Sequence, residues 1–364
     1  MTAVSQEANS LTKEIRAEIE EAGSIPFARF MELALYHPEC GYYQREASRI
    51  GREGDFITNV SVGEAFGQLL ASRFSKWLGD IDGPVRLVEA GAHDGTLAHD
   101  ILAWLAEYSQ SLFLRLKYTI IEPSEKRRDW QVNRLAAFDS QVEWFDSMRD
   151  VPKVRGVIFS NELLDAFPVH RISWSQSKRD WFEWGVSCQG EEFYWVAMET
   201  GISAWRSMLP AWPDSLLDVL PDKFCTELSP AAIEWWHFAA CHLAEGKLVA
   251  FDYGHSPNEW PSPNQPQGTV RGYCGHKHVN DILVNPGGQD LTAHANFQLI
   301  KKVGEAAGLA TEQFTSQERF LNRSFADLVQ VSPQMGKAID PRQLQTLTHP
   351  AQMGQAFKVL LQSS

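Results

Sequence analysis

The chain has 364 residues, enough for one large or two modest domains with a substantial core. Apolar residues make up 44% and charged residues 22% of the sequence, a composition that is typical of globular proteins and excludes a disordered one. The formal net charge of -13 excludes a general attraction to the phosphate backbone of nucleic acids.

The cysteines and the N-terminal residues predict a cytoplasmic protein. The five cysteines are odd in number and none stands in a CxxC pair, so we expect reduced thiols rather than disulfides. The N-terminal stretch is rich in glutamate and lacks an apolar core, which argues against a signal peptide or a mitochondrial transit peptide. No apolar run reaches the ~18 residues that a membrane-spanning helix requires.

Residues 1–80 are predicted to form an N-terminal helical and lid segment. Two short helices are expected over 11–36 and another over 62–78. The stretch between them, 37–61, is rich in glycine and aromatic residues and has no regular periodicity. Because loops of this kind often cover a binding site, we interpret this stretch as a lid.

From residue 81 onward, predicted strands alternate with predicted helices. In chain order these are strand 85–90, helix 95–107, strand 116–122, helix 124–137, strand 142–145 and strand 154–160. This alternation predicts a parallel sheet in an α/β domain over 81–364.

Two regions of this domain interrupt the alternation. A small antiparallel insertion with many aromatic residues is expected over about 169–225. A long loop rich in glycine, proline and asparagine is expected over 254–292, and loops of this length are usually functional or disordered. Other predicted elements are a helical stretch at 202–209, a helix at 229–244, a strand at 247–253 and a helix at 294–307. An apolar run at 309–314, two further helices and a last strand at 356–361 follow.

The turn after the strand at 85–90 carries most of the functional information. Glu89, Gly91 and Gly95 follow the pattern Glu-x-Gly-x-x-x-Gly. The glycines let the backbone approach a ligand, and the helix that begins here offers unpaired N–H groups. The next strand ends at Glu122, where a carboxylate can accept the hydroxyls of a ribose. Together these residues predict a nucleoside cofactor site.

The same turn favours S-adenosyl-L-methionine over a dinucleotide. A pyrophosphate is typically bound by a G-x-G-x-x-G turn, which this stretch lacks, and the Glu89 carboxylate would repel it. S-adenosyl-L-methionine has a sulfonium, an ammonium and a ribose but no phosphate, so a nearby carboxylate suits it. The alternatives are an ordinary tight turn in a doubly wound sheet and a nicotinamide-dependent oxidoreductase, which the missing glycine pattern disfavours.

Blocks along most of the chain resemble the MidA-type methyltransferase family, which includes the mitochondrial complex I assembly-factor arginine methyltransferase. The most specific blocks are Gly54-Asp-Phe-Ile-Thr58 and Asn161-Glu-Leu-Leu-Asp165-Ala-Phe-Pro-Val169. Further matching blocks are Ile25-Pro-Phe27, His37-Pro38, Gly41-Tyr-Tyr43, Glu122-Pro-Ser124, Asp252-Tyr-Gly-His255, Arg271-Gly-Tyr-Cys-Gly-His-Lys277, Asp290-Leu-Thr-Ala293 and Met353-Gly354 with Phe357.

The resemblance implies a class I S-adenosyl-L-methionine-dependent methyltransferase with a Rossmann-like sheet. It also implies a protein substrate methylated on arginine, with a respiratory-complex subunit as the expected substrate. One departure concerns the cofactor turn, where the family usually has a glycine and this chain has His93. A histidine is disfavoured at positive φ, so the alternative function is that of an assembly or interaction protein with impaired catalysis.

The fold analogy also implies the residues of the cofactor site. They lie on the turn, at the strand ends and in the lid segment: Asp55, Thr58, Glu89, Gly91, Gly95, Glu122, Asp146, Ser147 and Asn161. In this analogy the turn lines the methionine end, Glu122 binds the ribose, and Asp146 and Ser147 face the adenine edge.

Glu162 is the expected catalytic residue. A guanidinium keeps its proton until reaction because its pKa lies above ~12. A carboxylate can therefore hold the guanidinium through two hydrogen bonds and accept its proton as the methyl group arrives. Asp165 is expected to share this role, with capping of a following helix as the alternative.

Two other patterns are interpreted as structural. His276 and His278 are two histidines without a nearby set of Asp, Glu or Cys residues, so no metal is expected there. Trp181, Trp184 and Trp195 predict packing or a partner surface, and this aromatic insertion is also the basis for expecting a homodimer.

Overall fold

The computed structural model describes residues 3–44, 58–198, 202–209, 212–255, 265–275 and 277–364. The chain forms two compact units, each built from three separate stretches of sequence. Unit 1 comprises Met1–Glu46, Asp165–Ala232 and Ser256–Leu299, and unit 2 comprises Ala47–Leu164, Ile233–His255 and Ile300–Ser364. The predicted division of the chain at residue 80 stays a prediction.

Helices and strands cover most of the described residues. The helices are α1 (Ala3–Ala22), α2 (Phe27–Tyr36), α3 (Ala65–Gly79), α4 (Thr96–Tyr108), α5 (Gln110–Phe113), α6 (Glu125–Arg134), α7 (Ile202–Trp205), α8 (Asp214–Leu217), α9 (Pro230–His242), α10 (Phe297–Ala306), α11 (Gln317–Val331), α12 (Pro333–Ala338) and α13 (Pro341–Thr348). The strands are β1 (Ile25–Pro26), β2 (Val85–Ala90), β3 (Leu116–Ile121), β4 (Val142–Phe145), β5 (Val154–Asn161), β6 (His170–Ser175), β7 (Asp180–Gln189), β8 (Glu192–Met198), β9 (Cys225–Leu228), β10 (Leu243–His255), β11 (Arg271–Cys274), β12 (Lys277–Val279), β13 (Asp290–Thr292), β14 (Ala295–Asn296), β15 (Ala310–Ser316) and β16 (Phe357–Ser363).

The sheet of unit 2 has the strand order β15–β16–β10–β5–β2–β3–β4. Strands β4, β3, β2, β5 and β10 pair in parallel, whereas β16 is antiparallel to both of its neighbours. From β2 the chain moves outward through β3 and β4 and then returns to β5 on the other side of β2. Open α/β sheets bind ligands at such a reversal, beyond the carboxyl ends of the strands. The predicted α/β sheet is confirmed.

The inner strands of this sheet are buried on both faces. On one face Leu87 and Phe159 are fully buried in one core with apolar side chains of α3 and α4. On the other face Val88 and Ile158 are also fully buried. Strands covered on both faces carry continuous apolar runs. For this reason the sequence placed the ends of β2, β3, β4 and β5 within one residue of their observed positions.

Unit 1 contains an antiparallel sheet that includes the predicted insertion. Strand β6 pairs with β7 and β9, and β7 also pairs with β1 and β8. Trp174 and Trp181 are buried with their ring centroids 5.3 Å apart, and Trp184 and Trp195 meet edge to face. These tryptophans therefore serve packing within unit 1. The homodimer, which was expected from exposed aromatic residues, stays a prediction.

The expectation of one long loop over 254–292 is wrong for part of that stretch. Strand β11 pairs with both β12 and β13 in a small antiparallel sheet. These strands have at most four residues each and are interrupted by glycine and asparagine, so their composition resembles that of a turn. Their pairing depends on contacts between segments, which a local pattern does not reveal.

The described ranges contain neither a membrane-spanning helix nor a metal-binding group of side chains. Of the helices there, none has the length and apolar content needed to cross a membrane. Within the same ranges, no group of three or more His, Cys, Asp or Glu side chains is placed to hold a metal ion. His276 lies outside the described residues, and His278 is exposed on β12.

Candidate cofactor and methyl-acceptor site

The turn between β2 and α4 has a left-handed backbone at three positions. The φ angles are 79° at Gly91, 47° at His93 and 83° at Gly95. His93 therefore occupies a conformation that glycine adopts more readily, and the rest of the turn forms around it. The His93 ring lies beside Trp130 of α6, with 6.1 Å between ring centroids.

Close packing also explains the glycine at position 91. A Cβ atom added to Gly91 would lie 3.1 Å from Cδ1 of Leu163, which is tighter than an ordinary carbon contact. Asp94 then secures the start of α4, because its Oδ1 accepts hydrogen bonds from the backbone N–H (3.0 Å) and the hydroxyl (2.8 Å) of Thr96. The turn is thus held from both ends.

Glu89 is buried near the end of β2. The Tyr118 hydroxyl donates to its Oε2 at 2.5 Å. Burial raises the pKa of Glu89 to about 8, although the Tyr118 hydrogen bond works in the opposite direction. The carboxyl is therefore mostly protonated at neutral pH, and a cation placed nearby would favour its ionised form.

Glu122 follows directly after β3 and is 1% exposed. Its Oε1 accepts a hydrogen bond from the Ser124 backbone N–H at 2.9 Å and lies 3.1 Å from Nη2 of Arg127. These contacts orient the carboxylate at the carboxyl end of the strand. Orientation by neighbouring groups is what a ribose-binding carboxylate requires.

Gln131 connects the turn to Glu122 and was missed in the sequence. Its buried Nε2 donates to the His93 carbonyl at 2.9 Å and to Oε2 of Glu122 at 3.3 Å. Its Oε1 accepts from Nε1 of Trp144 at 2.9 Å. No signal in the sequence identifies it, because a glutamine in the polar helix α6 is expected at the surface.

Asp146 and Ser147, which follow β4, contact neighbouring arginine residues. Asp146 forms an ion pair with Arg128, and its side chain is largely exposed. The Ser147 hydroxyl accepts from the Arg149 backbone N–H at 3.2 Å and so caps a short 3-10 turn. Ser147 therefore has a structural role whether or not it also contacts a ligand.

Glu162 follows β5 and has a left-handed φ of 52°. Its Oε1 accepts hydrogen bonds from the Asn59 backbone N–H at 2.9 Å and from Nδ2 of Asn161 at 3.0 Å. Burial raises the pKa of Glu162 to about 7, and these two donors oppose the increase. A non-glycine residue with positive φ at the end of a strand is typical of functional sites.

Asn59 forms hydrogen bonds with both Asn161 and Glu162 and was also missed in the sequence. It is fully buried, and its Nδ2 donates to Oδ1 of Asn161 at 2.9 Å. The neighbouring Thr58 forms a compact turn with Ser61, whose backbone N–H donates to the Thr58 hydroxyl at 3.1 Å. Asp55 lies outside the described residues. The position of Asn59 directly after the Asp-Phe-Ile-Thr block could have identified it.

Asp252 belongs to unit 2, whereas Asp165 belongs to unit 1. Oδ2 of the buried Asp252, on β10, accepts from the backbone N–H groups of Leu163 (3.1 Å) and Leu164 (2.7 Å) and so holds the segment after Glu162. Asp165 belongs to unit 1, where its carbonyl accepts from the Ala293 N–H at 2.9 Å. The segment after Asp165 is a turn followed by β6, so the helix-capping alternative is wrong.

These residues fit a cationic nucleoside. Glu89, Glu122 and Glu162 all lie at or next to the carboxyl ends of parallel strands of one sheet. Acidic groups are unfavourable for a pyrophosphate but suit a ligand with a sulfonium and a ribose. The chemistry of these side chains is therefore compatible with S-adenosyl-L-methionine.

Comparison with known families agrees with this chemistry. The profile of the family described as "Putative S-adenosyl-L-methionine-dependent methyltransferase" matches residues 69–315. A crystal structure from Burkholderia thailandensis, of a protein bound to S-adenosyl-homocysteine, is 30% identical to this chain with a TM-score of 0.84. The match covers 100% of this chain and 94% of that one.

Alignments with curated relatives cover nearly the whole chain. The protein named "Protein arginine methyltransferase NDUFAF7 homolog, mitochondrial", from Drosophila melanogaster, is 29% identical over 383 residues, which cover 96% of this chain and 84% of that protein. The Mus musculus protein named "Protein arginine methyltransferase NDUFAF7, mitochondrial" is 26% identical over 392 residues, which cover 98% of this chain and 84% of that protein.

The expected cytoplasmic location is wrong. The relatives from Drosophila melanogaster, Mus musculus and Xenopus laevis are all named as mitochondrial proteins. The expectation depended on reduced thiols and an acidic N-terminal stretch, and these features do not distinguish one reducing compartment from another.

The family match spans more than half of the sequence, and the sheet has its strand reversal beside an acidic, glycine-bearing turn. The class I fold and the S-adenosyl-L-methionine cofactor that the resemblance implied are confirmed by the solved structure of 30% identity. The chain belongs to the S-adenosyl-L-methionine-dependent methyltransferase family.

Proposed function

We propose that this methyltransferase modifies an arginine side chain of a partner protein. The names of the curated relatives support this substrate class. The observation that carries the proposal is the arrangement of Glu162. Its carboxylate follows a central strand, and within the described part of the chain its hydrogen bonds all involve Oε1, while Oε2 makes none.

The free oxygen of Glu162 suits a guanidinium. Charge-assisted hydrogen bonds between a carboxylate and a guanidinium are short and directional. Because Glu162 is half-buried with a pKa of about 7, an arriving positive charge would stabilise the ionised form that binds it. Glu162 thus combines an affinity for arginine with the ability to take up a proton near neutral pH.

The proton balance assigns Glu162 a role in the reaction. When bound, S-adenosyl-L-methionine supplies a methyl group on a positively charged sulfur, which is open to attack by a nucleophile. A guanidinium nitrogen that gains a methyl group must lose one proton. The Glu162 carboxylate orients this nitrogen and accepts that proton, which then passes to solvent.

We assign the cofactor to the carboxyl ends of β2, β3, β4 and β5. In this assignment Glu122 binds the ribose, and the turn with Gly91 and Gly95 accommodates the methionine portion. The other proposed cofactor residues are Asp55, Thr58, Glu89, Asp146, Ser147 and Asn161. Glu122 has the strongest support, because its carboxylate is fixed by Ser124, Arg127 and Gln131 at a strand end.

Asp165 is the proposed second carboxylate for the substrate. It is 5% exposed and lies three residues after Glu162 in the same sequence block. A respiratory-complex subunit is the proposed partner protein, as the family resemblance implied. A homodimer is the proposed assembly, as expected from the aromatic insertion. The alternative of an inactive assembly protein loses support because His93 adopts the left-handed conformation that the turn needs.

The test is methylation of arginine by the full chain. The protein would be incubated with methyl-labelled S-adenosyl-L-methionine and a cognate lysate, and modified residues would be identified by mass spectrometry. We expect label on arginine with the wild type and with Glu191→Gln, an exposed control, and at least a 100-fold lower rate with Glu162→Gln. Label on another residue type, or an unchanged rate in Glu162→Gln, would overturn the proposal.

A further inference from the structure

We propose that Gln317, Asn59 and Asn161 form a chain of amide hydrogen bonds that positions the Glu162 carboxylate for its substrate. This inference rests on the proposed function, because it assigns the residues that prepare Glu162 for a guanidinium. All four residues belong to unit 2.

The hydrogen bonds run in one direction along the chain of amides. Nε2 of Gln317 donates to Oδ1 of Asn59 at 2.8 Å, and Nδ2 of Asn59 donates to Oδ1 of Asn161 at 2.9 Å. Nδ2 of Asn161 then donates to Oε1 of Glu162 at 3.0 Å. The amide oxygens of Asn59 and Asn161 accept from the preceding residue while their nitrogens donate to the next, so each amide dipole has its positive end toward Glu162.

Burial makes this arrangement specific. Asn59 and Gln317 are fully buried and Asn161 is 9% exposed, so water cannot readily replace the partners of these amides. If one amide rotated by a half turn, two oxygens or two nitrogens would face each other. The orientation of Asn161 is therefore determined by Asn59, and that of Asn59 by Gln317.

The chain of amides leaves one oxygen of Glu162 for the substrate. Oε1 accepts both from Asn161 and from the Asn59 backbone N–H at 2.9 Å. Two donors on one oxygen fix the carboxylate plane. The nearest acidic group on the adjacent strand, Asp252 of β10, is itself bound to the backbone N–H groups of Leu163 and Leu164.

The remote end of the chain is anchored outside the cofactor turn. Gln317 is the first residue of α11, and its Nε2 also donates to the Leu347 carbonyl of α13 at 3.2 Å. Its Oε1 is buried and has no hydrogen-bond partner within the described residues. An apolar side chain would avoid the free-energy cost of that oxygen, so the presence of glutamine indicates that its donor group is needed.

The experiment measures the pKa of Glu162 after substitution of other residues of the amide chain. The variants are Gln317→Met, which does not touch Glu162, and Asn59→Ala. Matched controls are Gln345→Met and Asn322→Ala, which change exposed residues of α13 and α11. The pKa of Glu162 would be read in the full chain by NMR with carboxyl-labelled glutamate, with the resonance assigned by its loss in Glu162→Gln.

We expect both variants to raise the pKa of Glu162 by about one unit, because a donor to its ionised form is weakened. We also expect about a tenfold lower kcat for methyl transfer and an unchanged KM for S-adenosyl-L-methionine, with neither control differing from the wild type. A lower Tm with an unchanged pKa in Gln317→Met would overturn the proposal, because a purely structural role would produce that result. If no arginine is methylated but both variants shift the pKa, the amide chain is supported and the proposed substrate is wrong.

Discussion

Glu89 gives stability a dependence on pH that can be traced to one residue. Its pKa in the folded protein is about 8, compared with 4.5 as the ordinary value, because burial disfavours the carboxylate. Between these pH values the folded protein holds a proton that the unfolded chain has released. Stability therefore falls as pH rises through this window, by up to ~1.4 kcal/mol per pH unit for this residue.

Glu89→Gln should remove this dependence. The amide stays neutral and can still accept the hydrogen bond from Tyr118. We expect the free energy of unfolding of the variant, relative to that of the wild type, to increase steadily from about pH 5 to about pH 8. Urea unfolding at several pH values measures it. Parallel pH profiles for the two proteins would contradict the assignment.

His93 tests how strongly the cofactor turn requires a left-handed backbone. With φ at 47°, glycine would relieve strain, whereas a β-branched residue would increase it. We expect His93→Gly to unfold within about 1 kcal/mol of the wild type and His93→Val to be destabilised by about 1–2 kcal/mol or more. Chemical denaturation measures the free energy of unfolding of each variant. Equal values for the two variants would contradict this account of the turn.

At the scale of elements, the close contact between the β2–α4 turn and Leu163 makes a testable prediction. Gly91→Ala adds a Cβ atom 3.1 Å from Leu163 at a residue with φ of 79°. We expect a loss of about 1–3 kcal/mol in stability, together with weaker binding of S-adenosyl-homocysteine. The control is Gly79→Ala at the end of α3, where nothing lies within 4 Å of an added Cβ. An effect of the same size in both variants would disprove the steric argument.

The sequence predicted those elements whose signal is local. Strands β2 and β3 carry continuous apolar runs, and the glycines after β2 mark a turn, so the sheet and its turn were recognisable. Strands β11, β12 and β13 were missed because each is short and lies among turn-forming residues. Their formation depends on pairing between segments, which composition does not encode.

In the candidate site, too, the residues with a local signal were predictable and the long-range contacts were not. Glu89, Glu122 and Glu162 lie at or directly after the ends of strands and could be identified by position. The contact between Asn59 and Glu162 joins residues 103 positions apart, and the contact between Asn59 and Gln317 joins residues 258 positions apart. No spacing rule links such residues, so the contacts by which these amides orient Glu162 became visible only in the folded chain.

For the whole molecule, the interleaving of the two units limits how the chain can be divided. Helix α3 precedes residue 81, yet Phe66, Leu70 and Phe74 are fully buried in the core of unit 2. Removing three such side chains would cost about as much as the entire stability of a typical domain. We therefore expect residues 81–364 alone to lack a cooperative thermal transition by circular dichroism. A transition at the Tm of the full chain would contradict this expectation.

The central claim is that the carboxyl ends of β2, β3 and β5 bind S-adenosyl-L-methionine through Glu122. Calorimetry of the full chain with S-adenosyl-homocysteine tests it most directly, with Glu122→Gln and the exposed control Glu125→Gln measured beside the wild type. We expect one-to-one binding by the wild type and the control, and about 30-fold weaker binding by Glu122→Gln, as for the loss of about 2 kcal/mol from a charged hydrogen bond. No heat of binding in the wild type, or equal affinity in Glu122→Gln, would contradict the account.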